Sequence, residues 1–368
     1  MNNTKLTTRR AWLGLMRGLM ALALLAGATT LVQAAGGGNK GGATPTTSTK
    51  AYDYYLTGQA ADMQPAAPAT PMLVLMGGGL DVDSAFEAMI AKARGNAGGK
   101  IDIVIIRASG ADGYNDYLYQ MAPDGVDSVE TLVIKSRDGA NNAEVNRIVA
   151  GADLLFIGGG DQWNYINLWK GTALDTTLQG LAARKVPFGG TSAGLAVLGQ
   201  IDFSAQYDTI TSSQAMNNPY DRKVALDRGF VTGLRGLANT ITDAHLVTRD
   251  RMGRLMTFLA RIIADGWVGA AEQARGIGVD EATAVVVDDG IASVQGSGAA
   301  YFLQPAIAAT TIKPKTPLTF RNVRVDRLRA QQGSFNLLNW TPGSGATPYS
   351  LSVEAGVLTS SGSNGSPY

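Results

Sequence analysis

Val186-Pro187-Phe188-Gly189-Gly190-Thr191-Ser192-Ala193-Gly194-Leu195-Ala196-Val197-Leu198 is the stretch on which the fold reading turns. Val186–Phe188 reads as a short buried strand, and Leu195–Leu198 begins an apolar segment able to form a helix. Between them Gly190-x-Ser192-x-Gly194 puts a serine on a sharp strand-to-helix turn, where the residues two positions away on either side must be small. Such a turn lifts the hydroxyl out of the sheet and aims the Ala193 N–H, at a helix start, toward any negative charge that develops beside it.

Outward from this turn, apolar runs and helical patterns alternate. Met72–Met76, Ile101–Ile106, Val129–Ile134 and Leu154–Ile157 are apolar runs, interrupted only by Asp102 and by Glu130-Thr131. Ser84–Ala93, Ala143–Val149 and Thr176–Ala183 between them carry helical spacing. Nearly continuous β-branched runs separated by helices predict a parallel sheet buried on both faces, a doubly wound α/β domain over about residues 70–304. In such sheets ligands bind beyond the carboxyl ends of the strands. From Pro305 to Tyr368 the pattern becomes short strands (Leu318–Val325, Phe335–Trp340, Tyr349–Val353) with Pro and Gly turns, a small β-rich C-terminal extension. Its last residues, Ser360–Tyr368, read as frayed.

The first 35 residues differ from the rest. Lys5, Arg9, Arg10 and Arg17 precede or interrupt an apolar run from Leu19 to Ala28, and small residues follow to Val32-Gln33-Ala34-Ala35. This is the layout of a secretory signal, with a short apolar core and an A-x-A-like cleavage site. Thr8-Arg9-Arg10-Ala11-Trp12-Leu13 also resembles a twin-arginine export signal. Residues 36–69, rich in Gly, Thr, Ala and Pro, read as a flexible linker. The protein is therefore expected to be exported, to the periplasm or beyond.

Composition narrows the chemistry. The 368 residues include no cysteine and one histidine, and 31 basic residues face 30 acidic ones. Removal of residues 1–35 leaves 27 basic against 30 acidic. Such a balance gives no support for a nucleic-acid partner. Without cysteine there is no disulfide, thiol nucleophile or thiolate metal site. A single histidine excludes an H-E-x-x-H zinc helix, so any step that needs imidazole must use His245. Gly77-Gly78-Gly79 after the first run does not fit G-x-G-x-x-G, because Val82 occupies the third glycine's place; it reads as a tight strand-end turn.

Three further constellations follow. Gly158-Gly159-Gly160-Asp161-Gln162 closes the fourth run. Its glycines let backbone N–H groups approach a ligand, Gln162 could bind an amide or carboxylate, and Asp161 could cap the next helix. Asp243-Ala244-His245 precedes Arg249, Arg251 and Arg254. Three arginines at a helix start are electrostatically mismatched unless they share anions, which points to a carboxylate pocket. Gly276-Ile277-Gly278-Val279-Asp280-Glu281 ends in two acids, either of which could orient an imidazole.

These motifs, taken in order, resemble the cyanophycinase family, part of the aspartate-directed serine peptidases that include peptidase E. The resemblance covers about residues 70–305. It implies a class I glutamine amidotransferase-like (flavodoxin-like) fold, mostly parallel, with serine in place of the usual cysteine. It implies Ser192 as nucleophile, His245 as base and Glu281, not Asp280, as the orienting acid. It implies oxyanion donors at Gly159, Gly160 and Ala193, and substrate contacts at Gln162, Asp243, Arg249, Arg251 and Arg254. No metal or organic cofactor is required.

Cyanophycin is a poly-aspartate backbone with arginine joined to each side-chain carboxyl, and the family releases β-Asp-Arg dipeptides from it. An α-aspartyl dipeptidase and a non-catalytic protein that binds acidic peptides are the alternatives. The family also implies a homodimer, and no membrane anchor is expected once residues 1–35 are removed.

Overall fold

The computed structural model describes residues 44–60, 70–95 and 99–368. The segment 1–35, read from sequence as an export signal, and parts of the segment 36–69 lie outside them. Among the described residues no helix is long and apolar enough to cross a membrane.

The chain forms two sheets. The first runs in the order Thr47–Ser48, Tyr52–Gly58, Val126–Ile134, Ile101–Arg107, Leu154–Ile157, Phe188–Thr191, Met72–Met76, Thr283–Asp288, Ile291–Gly296, Phe335–Asn336 and Thr341–Pro342. Its middle five strands, from Val126–Ile134 to Met72–Met76, are mutually parallel. Every other pairing in this sheet is antiparallel. The fold is thus mixed α/β with a partly parallel sheet, not the mostly parallel sheet expected.

The parallel block explains the apolar runs. Successive side chains of one strand point to opposite faces. Met72, Val74 and Met76 pack with Phe86 and Met89 of helix Asp83–Arg94. Leu73 and Leu75 pack on the other face with Val145, Ile148 and Leu178 of helices Ala143–Ala150 and Ala173–Ala183. Both faces are covered, so both halves of the alternation are largely apolar; the buried exceptions Asp102 and Glu130 each accept a hydrogen bond from the Ser128 hydroxyl.

Three sequence expectations change. Tyr52–Gly58, read as linker, is a strand hydrogen-bonded along Val126–Ile134 from Tyr52 opposite Ile134 to Gly58 opposite Ser128, with Tyr52 and Tyr55 buried. The strand read at Val186–Phe188 instead runs Phe188–Thr191, into the glycines. A Cβ on Gly189 would stand 2.6 Å from the Phe156 ring, so the close strand packing there demands glycine. The tail Ser360–Tyr368 is packed, not frayed: the Tyr349 hydroxyl donates to the Pro367 carbonyl at 2.7 Å, and Tyr368 meets Tyr301 edge-on.

The second sheet was not foreseen. Its order is Val357–Ser360, Thr347–Glu354, Thr316–Arg329, Ala299–Gln304, Arg275–Val279, Thr240–Asp243, Ile201–Phe203 and Leu226–Arg228. Thr240–Asp243 is parallel to both its neighbours, and helix Met252–Ala264 packs on this sheet through Leu255, Phe258, Leu259 and Ile262. The β-rich region after residue 304 is continuous with both sheets. Thr316–Arg329 extends the second sheet beside Ala299–Gln304, and Phe335–Asn336 extends the first beside Ile291–Gly296.

Candidate functional site

Ser192 follows the strand Phe188–Thr191 and precedes the single helical turn Ala193–Ala196. Its backbone is strained, at φ 52° and ψ −112°. A non-glycine residue held there costs on the order of 1–3 kcal/mol, which the surroundings must offset. Glycine is obligatory on both sides. A Cβ on Gly190 would lie 2.6 Å from the Gly194 backbone, and one on Gly194 would lie 2.0 Å from the Ile157 carbonyl oxygen.

Two other segments converge on this turn. His245 follows Thr240–Asp243, and Glu281 follows Arg275–Val279, the neighbouring parallel strand. The Ser192 Oγ lies 2.7 Å from His245 Nε2, and His245 Nδ1 lies 2.5 Å from Glu281 Oε1. His245 is 2% exposed and Glu281 31%. The sequence left Asp280 and Glu281 open on their chemistry alone. Asp280 instead points away, its Oδ2 accepting the Ala299 N–H at 3.1 Å, and burial pushes its carboxyl up to about 6.

Met76 and the first two glycines of the triplet that failed the dinucleotide pattern hold all three segments together. Three consecutive carbonyls act in sequence. Met76 accepts the Ser192 N–H at 3.1 Å, Gly77 accepts the His245 N–H at 2.8 Å, and Gly78 accepts the Ala282 N–H at 2.8 Å. The loop therefore spaces serine, imidazole and carboxylate from one rigid strand end. Gly78 has φ +92°, and a Cβ there would sit 2.3 Å from His245 Cε1; one on Gly77 would sit 1.8 Å from the Asp280 carbonyl. Sequence reading missed this role. The available signal was three glycines directly after a core strand, which permits close approach from several sides.

The Gly158–Gly160 loop passes beside the serine. A Cβ on Gly159 would lie 3.6 Å from Ser192 Cβ. Tyr165 anchors the loop by donating to the Gly158 carbonyl at 2.8 Å, and Gly160 has no room for a side chain under the same tyrosine hydroxyl. Asp161 caps helix Gln162–Trp169 through the Trp163 N–H, and Gln162 Nε2 reaches the Phe203 carbonyl at 3.2 Å. Ala193 opens its helical turn, where the first N–H groups have no intrahelical acceptor.

The arginines part company. Arg254, expected on substrate, is 1% exposed and turned onto Asp243, which was also expected on substrate. Its Nε and Nη2 meet the two Asp243 oxygens at 2.8 and 2.5 Å, and its Nη1 meets the Thr209 hydroxyl and Ile210 carbonyl. The guanidinium also lies over the Phe203 ring, 4.9 Å from its centroid. The correction has a physical reason: a buried guanidinium needs a paired carboxylate, and Asp243 occupies the fork.

Arg251 is half-buried, donates to the Ala244 carbonyl at 2.9 Å and stands 3.7 Å from Asp243. Burial, and then the Arg254 charge, push its guanidinium down to about 9. Arg249 is exposed, and among the described residues no hydrogen bond or ion pair engages its side chain. Burial holds the His245 imidazole below its ordinary value of 6.5. The Glu281 hydrogen bond and charge oppose that shift, while the Arg249 and Arg251 charges add to it.

A partly buried serine–imidazole–carboxylate line with backbone N–H groups beside the serine defines a hydrolase-type site. Residues 124–294 match the sequence model of Peptidase family S51, and this segment carries Ser192, His245 and Glu281. This segment, a little under half of the chain, is similar to that family. The chain is 28% identical over 207 residues to the cyanophycinase of Trichormus variabilis, covering 55% of this chain and 63% of that protein. The cyanophycinase of Thermosynechococcus vestitus matches at the same identity, over 55% of this chain and 58% of its own length. The chain thus spans somewhat less than two thirds of the length of these two relatives.

Among solved structures, a peptidase from an acI-B1 Actinobacterium aligns at 18% identity over 73% of this chain and 97% of its own, with a TM-score of 0.43. A putative peptidase E protein from Listeria monocytogenes aligns at 15% identity over 62% and 99%, with a TM-score of 0.38.

Proposed function

We propose that this chain is a serine peptidase that cuts beside aspartate, with cyanophycin as its substrate. The hydrogen-bonded line from Ser192 through His245 to Glu281 carries the reading. In it His245 Nε2 takes the hydroxyl proton as Ser192 Oγ forms a bond to the scissile carbonyl carbon. The oxygen charge that develops lies toward the N–H groups of Ala193 and the Gly159–Gly160 loop. The imidazolium then gives its proton to the leaving amine as the C–N bond breaks. Water, deprotonated by the same imidazole, releases the acyl group and regenerates the serine. Glu281 holds the Nδ1 proton and stabilises the imidazolium throughout.

Aspartate recognition falls to Arg249 and Arg251, whose guanidinium forks match carboxylates. Gln162, fixed to Phe203, supplies a neutral wall. Asp243 and Arg254 act beneath this surface by holding the strand and helix together.

Cyanophycin and α-aspartyl dipeptides separate the readings. Incubation with both should clear the polymer and release β-Asp-Arg. Turnover of α-Asp-X alone would move the assignment to an α-aspartyl dipeptidase. Binding of either without cleavage would replace both with a peptide-binding role.

The imidazole gives a second expectation. Neutral His245 is the active form, so kcat/KM falls as pH drops through its pKa. Because that pKa is held below 6.5, the acid limb should lie below pH 6.5. Arg249→Gln removes one of the charges that lowers it, so the limb should move upward. A limb at or above 6.5 that ignores Arg249→Gln would show that the titrating base lies elsewhere.

A further inference from the structure

The arginine-bearing loop is secured from a distant part of the chain. Leu246–Asp250 links His245 to Arg251 as a tight arch. The Arg249 N–H donates to the His245 carbonyl at 3.1 Å, the Asp250 N–H to Val247 at 3.0 Å and the Arg251 N–H to Leu246 at 2.8 Å. Asp250 is the pivot of this arch, with φ +46°. Its carbonyl accepts the Ser212 hydroxyl, and that hydroxyl in turn accepts the Arg254 N–H at 3.2 Å.

Its side chain is held by Tyr368. The Tyr368 hydroxyl donates to Asp250 Oδ1 at 2.7 Å and accepts the Met252 N–H at 3.3 Å. Helix Met252–Ala264 has no side-chain cap at its own N-cap residue, Arg251, so this phenol takes over that duty from 116 positions away. Tyr368 is itself fixed: its ring packs edge-on against Tyr301, its N–H meets the Ser366 hydroxyl at 3.1 Å, and the preceding Pro367 carbonyl is bound by Tyr349. All these anchors lie beyond residue 294, where the family match ends.

We propose that Tyr368 is a positioning residue: by pinning Asp250 and the first turn of helix Met252–Ala264, it sets where Arg249 and Arg251 stand relative to Ser192 and His245. The β-rich region after residue 304 thereby serves the site as a brace for its carboxylate-binding loop. This inference rests on the reading of those arginines as the aspartate-binding groups.

The test uses the full chain carrying Tyr368→Phe, which keeps the ring packing and removes only the hydroxyl. KM for cyanophycin or a β-Asp-Arg oligomer should rise about five- to tenfold, the factor that one lost net hydrogen bond corresponds to. The kcat, and the rate at which a fluorophosphonate labels Ser192, should stay within about twofold, because the arch moves without the serine–imidazole pair. Asp250→Ala should produce the same rise, and the double variant should be no worse than either single one.

Trypsin provides a measurement independent of turnover. Cleavage after Arg249 in the native protein, read by mass spectrometry, should also accelerate about five- to tenfold in Tyr368→Phe. An unchanged KM overturns the proposal whatever the loop does. If the wild-type protein turns over no aspartyl substrate, the functional reading fails, and the tryptic comparison alone decides the tether: unaltered protection overturns it.

Discussion

Ser192→Ala is expected to lower the peptidase kcat by about 10⁴–10⁶-fold and to abolish fluorophosphonate labelling. The magnitude follows from how such residues act. Serine, imidazole and carboxylate form one proton-moving unit, so loss of the attacking atom removes nearly all that the unit contributes. What remains is the oxyanion-site and binding contribution, about 10³–10⁴ over water. The fold should survive. Alanine has the same Cβ as serine and no side-chain hydrogen bond of Ser192 other than that to His245 supports the turn. The φ of 52° is imposed by the glycines on either side and by the Ser192 N–H on Met76, neither of which the substitution touches. A His245→Ala variant should be equally disabled, and the double variant no worse, since the chain has no second histidine to substitute. Peptidase activity undiminished in Ser192→Ala would sink the assignment of the nucleophile.

Glu281→Gln should cost about 10⁴-fold in kcat, while Asp280→Asn should cost less than about tenfold. The two acids are adjacent, yet their surroundings differ. Glu281 Oε1 is 2.5 Å from His245 Nδ1, where an amide would either favour the wrong tautomer or remove the charge that stabilises the imidazolium. Asp280 faces the Ala299 N–H and is desolvated, so it has no route to the imidazole. Measurement of kcat for both variants at one pH decides the matter. Equal losses, or the larger loss for Asp280→Asn, would reverse the assignment. Loss of activity in Asp280→Asn through unfolding is separable by its melting temperature, because the Asp280 hydrogen bond supports Ala299 in the second sheet.

Much of this was legible in the linear chain. The runs Met72–Met76 and Leu154–Ile157 appear as strands with the same limits read from their apolar residues, because burial on both faces leaves no polar alternation. Val186–Phe188 was misplaced because a strand that continues into Gly189-Gly190 has no side-chain pattern to show it. The second sheet was hidden for a related reason. Its members at Ile201–Phe203, Leu226–Arg228 and Thr240–Asp243 are three or four residues each, too short for a period to register. Tyr52–Gly58 was obscured by the Gly- and Pro-rich sequence on either side.

Of the site, residue types alone determined the most restrictive facts. One histidine leaves one possible imidazole, no cysteine leaves no thiol, and a serine between glycines at a strand end is where a hydroxyl can be raised. Those are statements about which atoms exist, and no folding is needed to make them. The tertiary structure decided which atoms meet. Asp280 and Glu281 differ by one position but diverge where Arg275–Val279 ends, so only one carboxylate reaches His245. Arg249, Arg251 and Arg254 are alike in sequence, yet desolvation forces Arg254 onto Asp243 and leaves Arg249 exposed. Gly77, Gly78 and Tyr368 acquire their roles because backbone carbonyls and a single hydroxyl can bind partners more than a hundred residues away. Hydrogen bonds of that kind leave no periodicity, charge pattern or spacing in the sequence that forms them.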